Sequence, residues 1–225
     1  MLSFFIEEAN IMLEKFKKAL QQRYSTKVFK AGATIEDDKL QTLLDTLPLA
    51  PTSINSQAWH LYVISNPAKK AELAEATWPT NHAKYKDAAY LFVFCAKTTF
   101  NQQDLMEIEQ LSADIRATDI NEERLAMLNN YTESMSDNER QEWLKRQVCI
   151  VFGQFLTSCA LLDIDSCPIE GFDKKAMDKL LGLKEKGFTS VVSAVIGKHD
   201  INDFNTPDKA PKIRFPREKM ITEIK

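Results

Sequence analysis

Glycine is scarce in this sequence, and its distribution excludes two common kinds of nucleotide site. The chain of 225 residues contains only six glycines. None of them forms the GxGxxG loop of a Rossmann dinucleotide site, and none completes the GxxxxGK[S/T] loop of a P-loop NTPase. A phosphate-bearing ligand must therefore be held by side chains and by other parts of the backbone.

Cysteine and histidine are also few, and their spacing excludes the common metal sites. There is no CxxC pair, no zinc-finger spacing and no HExxH motif. The residues concerned are Cys95, Cys149, Cys159, Cys167, His60, His82 and His199. The sequence therefore predicts no metal site, and it predicts cysteines that are buried, unpaired thiols in a reducing compartment.

Long apolar runs and an excess of positive charge are both absent. No segment approaches the roughly 20 apolar residues of a membrane helix, and residues 1–10 carry Glu7 and Glu8 instead of the basic start of a signal peptide. The net charge is −3 and 44% of the residues are hydrophobic, which is ordinary for a globular protein that does not bind nucleic acid. We therefore expect one cytoplasmic domain, residues 1–225, that binds neither membrane nor nucleic acid.

Two basic segments lie near opposite ends of this mildly acidic chain. One is Arg23-Tyr24-Ser25-Thr26-Lys27, and the other is Lys212-Ile213-Arg214. Because guanidinium and ammonium groups bind phosphate, the two segments would form a phosphate cradle if folding brought them together. Charge clusters alone favour the alternative that each segment is a solvated edge.

The hydrophobic pattern predicts an α+β domain, rich in helices and with a few strands far apart in sequence. Helices are predicted over residues 4–22, 34–47 (with Thr34 as N-cap), 67–76 and 137–162, over Lys174–Leu181, and as one or two helices within 101–130. Strands are predicted over residues 60–65, 88–96 and 188–196, with 220–224 as a further candidate. Loops are expected at 51–57 and 168–172, and an extended tail from residue 202. Residues 148–162 are apolar on nearly all helical faces, which predicts burial on every side and a subunit interface.

Several segments between about residues 20 and 220 resemble the FMN-dependent nitroreductase family, in particular its oxygen-insensitive NAD(P)H nitroreductase and dihydropteridine reductase branch. These segments occur along the chain in the same order as in that family. The segments are RYSTK from Arg23, PTSINSQAWH from Pro51, FCAKT from Phe94, CPIEGFD from Cys167, GLKEKGFTS from Gly182, DFN from Asp203 and KIR from Lys212.

The resemblance implies an α+β fold with a central, mostly antiparallel sheet flanked by helices. It implies an intertwined homodimer, with an extended C-terminal arm, 203–225, that reaches onto the partner. The N-terminal helix, residues 1–20, departs from the family, since this N-terminus is longer by about one helical turn or more. Two FMN sites would lie at the interface, each built from both subunits.

The resemblance also implies roles for particular residues. Residues expected at the FMN phosphate are Arg23, Tyr24, Ser25, Lys212 and Arg214. Residues expected at the pyrimidine edge of the flavin are Lys27, Asn81 and Lys84, with Gln147 at the ribityl chain or ring edge. Pro168, Glu170 and Gly171 are expected against the flavin ring. The partner subunit is expected to contribute Pro51, Thr52, Ser53 and Asn55.

The implied chemistry is transfer of a hydride from NAD(P)H to the flavin and then of two electrons to a nitroaromatic or quinone acceptor, with ping-pong kinetics. No side chain is needed as a committed acid or base, so no catalytic residue is expected. Three alternatives remain open at this point: a flavin, dihydropteridine or enone reductase on the same fold, a non-catalytic FMN-binding protein, and a helical interaction module. Residues 101–138 match the family poorly, so they leave the substrate pocket undefined.

Overall fold

The computed structural model describes the backbone of residues 2–225 and the side chains from Asn10 onward. Its helices are α1 (Leu2–Gln22), α2 (Asp37–Thr46), α3 (Pro67–Ala74), α4 (His82–Asp87), α5 (Gln102–Arg116), α6 (Glu122–Glu133), α7 (Asp137–Leu161), α8 (Lys174–Leu181) and α9 (Arg217–Met220). Its strands are β1 (Trp59–Ile64), β2 (Tyr90–Lys97), β3 (Asp165–Ile169) and β4 (Phe188–Gly197).

The four strands form one sheet in the order β1-β2-β4-β3, and every neighbouring pair is antiparallel. The two strands predicted most clearly, β2 and β4, lie at its centre, where their apolar side chains are buried. The α+β class with an antiparallel sheet flanked by helices is therefore confirmed.

Helices cover both faces of the sheet, which explains why β2 is apolar from Tyr90 to Ala96. Successive side chains of a strand point to opposite faces, so Phe92 and Phe94 lie on one face and Leu91 on the other. On the first face, the ring of Phe155 in α7 lies 4.9 Å from that of Phe92 and 5.2 Å from that of Phe94. On the second face, fully buried side chains come from α3, α4 and α8; they are Leu73, Tyr85 and Met177.

Helix α7 begins with a capping box, in which the Ser136 hydroxyl accepts from the Glu139 N–H and the Glu139 carboxylate accepts from the Ser136 N–H. The prediction that this helix is buried on every side is wrong for a single chain, since Cys149 and Ile150 are exposed. The prediction of buried thiols is accordingly wrong for Cys149 and confirmed for the other three cysteines. Burial raises the pKa of the Cys95 thiol to about 12.

Three further predictions are corrected at element ends. Strand β3 occupies part of the expected loop 168–172, because Pro168 is tolerated in an edge strand. Helix α2 has Glu36 as N-cap instead of Thr34. Residues 220–224 are not a strand, since the tail forms the single turn of α9 and no regular element after Met220.

The remaining helix predictions are confirmed. Residues 101–130 contain α5 and the start of α6, and α8 ends at Gly182 in the left-handed conformation. The helix predicted from residue 4 is α1; its expected apolar face begins with Phe5, Ile6 and Ala9, whose side chains lie outside the described residues. Among the helices described, none has the length and apolar character needed to cross a membrane.

The two ends of the chain meet at the β3 edge of the sheet. Residues 23–29 run along this edge, where the Thr26 N–H donates to the Ser166 carbonyl at 3.1 Å. The stretch that follows β4 lies beside the same segment, through an antiparallel bridge between Phe29 and His199. The sheet edge therefore places the two basic segments next to each other.

Candidate functional site

The two basic segments line one cavity of about 290 Å³. Arg23 and Ser25 come from the segment that follows α1, and Lys212 and Arg214 come from the tail. Lys212 Nζ donates to the Leu20 carbonyl at 2.5 Å, which ties the tail to the end of α1. We call these four residues the cation cradle.

The cation cradle concentrates positive charge that no carboxylate ion pair of the described residues neutralises there. Partial desolvation lowers the pKa of Lys212, although the residue remains exposed, and the charges of Arg23 and Arg214 lower it further. Two guanidinium groups, an ammonium group and a hydroxyl form a donor set suited to a phosphate, which would relieve this repulsion. The residues present therefore fit the phosphate of FMN.

Tyr24 lies beside the cradle and also lines its cavity. Its hydroxyl donates to Asp203 Oδ2 at 3.1 Å. Burial raises the pKa of Tyr24, with Asp165 and Asp203 acting in the same direction. The side chain is therefore a neutral hydrogen-bond donor that connects the cradle to the tail.

A second cavity, of about 490 Å³, contains six further residues expected to contact a flavin. They are Lys27, Asn81, Lys84, Pro168, Glu170 and Gly171. They come from three places in the sequence: the segment after α1, the start of α4, and the end of β3. We call this space the edge cavity.

Hydrogen bonds join the walls of the edge cavity. Lys84 Nζ donates to Asn81 Oδ1 at 3.0 Å and also to the Thr80 carbonyl, while Asn81 Nδ2 donates to the Gly171 carbonyl at 3.1 Å. Lys84 is only 9% exposed, and burial lowers its pKa, with the charge of Lys27 acting in the same direction. The cavity thus presents two nearby cationic side chains to a polar ligand edge.

Gly171 has a structural requirement of its own. A Cβ atom at this position would lie 2.9 Å from the Trp78 ring and 3.0 Å from Asn81 Nδ2. The Trp78 N–H also donates to the Gly171 carbonyl at 2.9 Å. Close packing against Trp78 therefore requires glycine here, whatever the cavity binds.

The other predicted residues form a separate group, which we call the loop cluster. It consists of Pro51, Thr52, Ser53, Asn55 and Gln147, and none of them lines the cation cradle or the edge cavity of the same chain. Gln147 is 3% exposed; its Oε1 accepts from the Ser53 N–H at 2.8 Å and its Nε2 donates to the Trp143 carbonyl at 2.9 Å. Within one chain, the Gln147 amide therefore holds this loop in place.

Two exposed aromatic residues of the edge cavity were missed by sequence reasoning. Trp78 and Phe204 line the cavity, and each is 65% exposed. Phe204 lies in the DFN segment that carries part of the family resemblance, but the sequence assigns its side chain no role. Trp78 lacked any signal, because a tryptophan in an α+β protein is most often a core residue.

Comparison with protein-family models gives a match to the nitroreductase family over residues 20–198. The chain belongs to the nitroreductase family. The prediction of an oxidoreductase is thereby confirmed at the level of the family.

Curated proteins of this family resemble the chain over most of its length. It is 38% identical over 216 residues to the oxygen-insensitive NAD(P)H nitroreductase of Salmonella typhimurium, covering 90% of this chain and 96% of that protein. It is 35% identical over 212 residues to the enzyme of the same name from Enterobacter cloacae, with the same coverage.

The fold also matches solved structures. A nitroreductase from Exiguobacterium sibiricum, solved in complex with FMN, aligns with a TM-score of 0.76 over 93% of this chain and 97% of its own, at 18% identity. At that identity the match supports the nitroreductase-like fold alone.

Among residues with described side chains, no group of three or more His, Cys, Asp or Glu is placed to hold a metal ion.

Proposed function

We propose that this protein is an FMN-dependent NAD(P)H nitroreductase. The observation that carries the proposal is the adjacency of the cation cradle and the edge cavity. On the N-terminal segment, Ser25 lines the first cavity and Lys27, two residues later, lines the second. On the tail, Phe204 lines the second cavity and the adjacent Asn205 lines the first. One elongated ligand with a phosphate at one end and a polar ring system at the other matches this arrangement.

When bound, FMN would supply the redox chemistry, namely transfer of two electrons from NAD(P)H to an acceptor, for which we expect ping-pong kinetics. The protein supplies binding and electrostatics. Arg23, Ser25, Lys212 and Arg214 hold the phosphate, with Tyr24 beside them. Lys27, Lys84 and Asn81 face the polar ring edge, where positive charge favours the reduced cofactor. Pro168, Glu170 and Gly171 line the edge cavity, where they would contact the ring.

We assign the loop cluster to the site of a partner subunit in a homodimer. In one chain the loop cluster lines neither cavity, so it would reach a flavin site only in a second copy. Large apolar side chains on α1 and on the tail support such a dimer, because monomers rarely expose so many in neighbouring positions. They are Ile11, Met12, Leu13, Phe16, Ile213 and Phe215.

The acceptors are planar, electron-poor compounds, namely nitroaromatics and quinones. Trp78 and Phe204 favour such compounds, because their exposed rings offer stacking surfaces at the mouth of the edge cavity. No carboxylate or histidine is assigned as a proton donor, since water reaches the open cavity.

An absorbance spectrum of the purified protein tests this function. We expect flavin bands that bleach on anaerobic addition of NADPH or NADH and return on addition of a nitrofuran. Bands that do not bleach would indicate a non-catalytic FMN-binding protein. Bleaching that a nitrofuran does not reverse, but a dihydropteridine or free flavin acceptor does, would indicate another reductase on this fold. A colourless protein that added FMN does not stabilise would refute the proposal.

A further inference from the structure

Asp203 is a buried carboxylate to which neither sequence nor family resemblance gave a role. Its side chain is 0% exposed, and burying a carboxylate is costly unless hydrogen bonds compensate. Oδ2 accepts from the Tyr24 hydroxyl at 3.1 Å and from the Lys27 N–H at 3.2 Å, and Oδ1 accepts from the Asn205 N–H at 3.0 Å. These partners lie on both of the segments that form the candidate site.

The position of Asp203 connects the two cavities. On the N-terminal segment it holds Tyr24, which lines the cation cradle, and Lys27, which lines the edge cavity. Its own neighbours in sequence divide in the same way, since Phe204 lines the edge cavity and Asn205 lines the cradle. Asn205 adds a parallel contact, because its Nδ2 donates to the Ser25 carbonyl at 2.8 Å.

We infer that Asp203 is the positioning residue that joins the cation cradle to the edge cavity. By accepting hydrogen bonds from Tyr24, Lys27 and Asn205, it fixes the spacing between the phosphate end and the ring end of the site. The effect of Asp203 on FMN binding rests on the proposed function. Its role in joining the two segments does not depend on any ligand.

Electrostatics and positioning predict opposite effects, which makes the inference testable. The Asp203 carboxylate accepts from Tyr24 and Asn205, which line the cavity of the cation cradle. Coulomb's law alone therefore predicts that removal of the carboxylate tightens binding of an anion there. If Asp203 positions the cradle, its removal weakens binding instead. Asp208 offers a matched control, because it is an exposed carboxylate on the same tail.

The experiment compares Asp203→Ala, Asp203→Asn, Tyr24→Phe and Asp208→Ala with the wild type in two measurements. The first is hydrogen–deuterium exchange of the FMN-free protein, followed in peptides covering residues 23–29 and 203–206. The second is the affinity for FMN by titration. Circular dichroism confirms that each variant is folded.

For Asp203→Ala we expect faster exchange in both peptides and an FMN affinity reduced at least about tenfold, because hydrogen bonds to a charged group are lost. Asp203→Asn retains an oxygen that accepts the backbone N–H groups, so it recovers part of this loss. Tyr24→Phe gives a smaller decrease, and Asp208→Ala binds FMN as tightly as the wild type or more tightly.

Wild-type exchange in Asp203→Ala, or FMN binding as tight as in Asp208→Ala, would overturn the inference. If Asp203→Ala does not fold, wild-type behaviour of both Asp203→Asn and Tyr24→Phe overturns it in the same way. If the wild type itself binds no FMN, the proposed function has failed, and the exchange measurement alone decides whether Asp203 joins the segments.

Discussion

The edge cavity and the cation cradle are held together in different ways. Most of the edge cavity is formed by elements anchored in the core, with Lys27 and Phe204 added from the two terminal segments. Its Lys84, Asn81 and Gly171 are already joined by hydrogen bonds within the chain. The cradle joins segments from opposite ends of the chain, and its Lys212 and Arg214 are exposed. A preorganised site loses little entropy when a ligand binds, whereas a site made from separate segments must be ordered. We therefore expect the ring end to provide a fixed shape and the phosphate end to provide charge-dependent affinity.

Removal of the tail should give the largest loss of FMN affinity, because it takes away the cations of the phosphate end. Truncation after Asn205 deletes Lys212 and Arg214, each a charge-assisted contact of about 1.5–3 kcal/mol. FMN affinity should fall by roughly 10²–10⁴-fold, measured by titration of the flavin-free protein. Truncation after Pro216 is the control, since it keeps both cations and should bind FMN normally. A chain ending at Asn205 that still copurifies with flavin would place the tail outside the site.

Arg214→Ala tests one cation alone. We expect FMN binding to weaken by about 1.5–3 kcal/mol, while riboflavin, which lacks the phosphate, binds as it does to the wild type. Arg217→Ala is the matched control, because Arg217 pairs with Glu223 and does not line the cradle. Equal losses for FMN and riboflavin would show that Arg214 does not contact the phosphate.

Gly171→Ala tests the rigidity of the edge cavity. The added methyl group would press on the Trp78 ring, so the free energy of unfolding should fall by about 1–3 kcal/mol. In Gly153→Ala the methyl group meets nothing within 4 Å, so a gain of about 1 kcal/mol is expected from helix propensity. Denaturant unfolding measures both. An unchanged stability of Gly171→Ala would mean that the cavity wall is pliable.

A change in salt concentration should have a smaller effect on FMN affinity than truncation of the tail or Arg214→Ala. Raising the salt concentration from about 0.1 M to about 1 M shortens the Debye length from about 10 Å to about 3 Å, which weakens attraction to the exposed cradle. FMN affinity should therefore fall a few-fold, and riboflavin affinity should change less. Titrations of both ligands at the two concentrations measure this, and an equal response of the two would contradict a charge-dominated phosphate end.

Much of the fold follows from local patterns in the sequence. The apolar runs of β2 and β4 and the periodicity of α7 depend on neighbouring residues alone, and so does the end of α8 at Gly182. The sequence did not predict β3, because a proline such as Pro168 usually argues against a strand. Pro168 is acceptable here only because β3 lies at the edge of the sheet. The exposure of Cys149 was missed because a helix with apolar residues on all sides does not reveal which side another element leaves open.

The candidate site was also predicted only where local patterns in the sequence mark its residues. The cradle could be proposed because Arg23, Lys212 and Arg214 have a recognisable chemistry, and the family resemblance supplied the residues of the edge cavity. Asp203 could not be found in this way, since one aspartate among 32 acidic residues carries no distinguishing pattern. Its importance arises from hydrogen bonds to residues more than 170 positions away, which only the folded chain brings together.

The placement of Lys212 and Arg214 late in the sequence also has a consequence for biosynthesis. These residues leave the ribosome after every other residue of the candidate site, so the ring end can fold while the phosphate end still lacks two of its cations. At roughly 5–20 residues per second, translation leaves an interval of seconds between the addition of Gly171 and that of Arg214. If the protein binds FMN as proposed, the cofactor would bind late in synthesis, and a ribosome stalled before Lys212 should carry a nascent chain that retains no flavin.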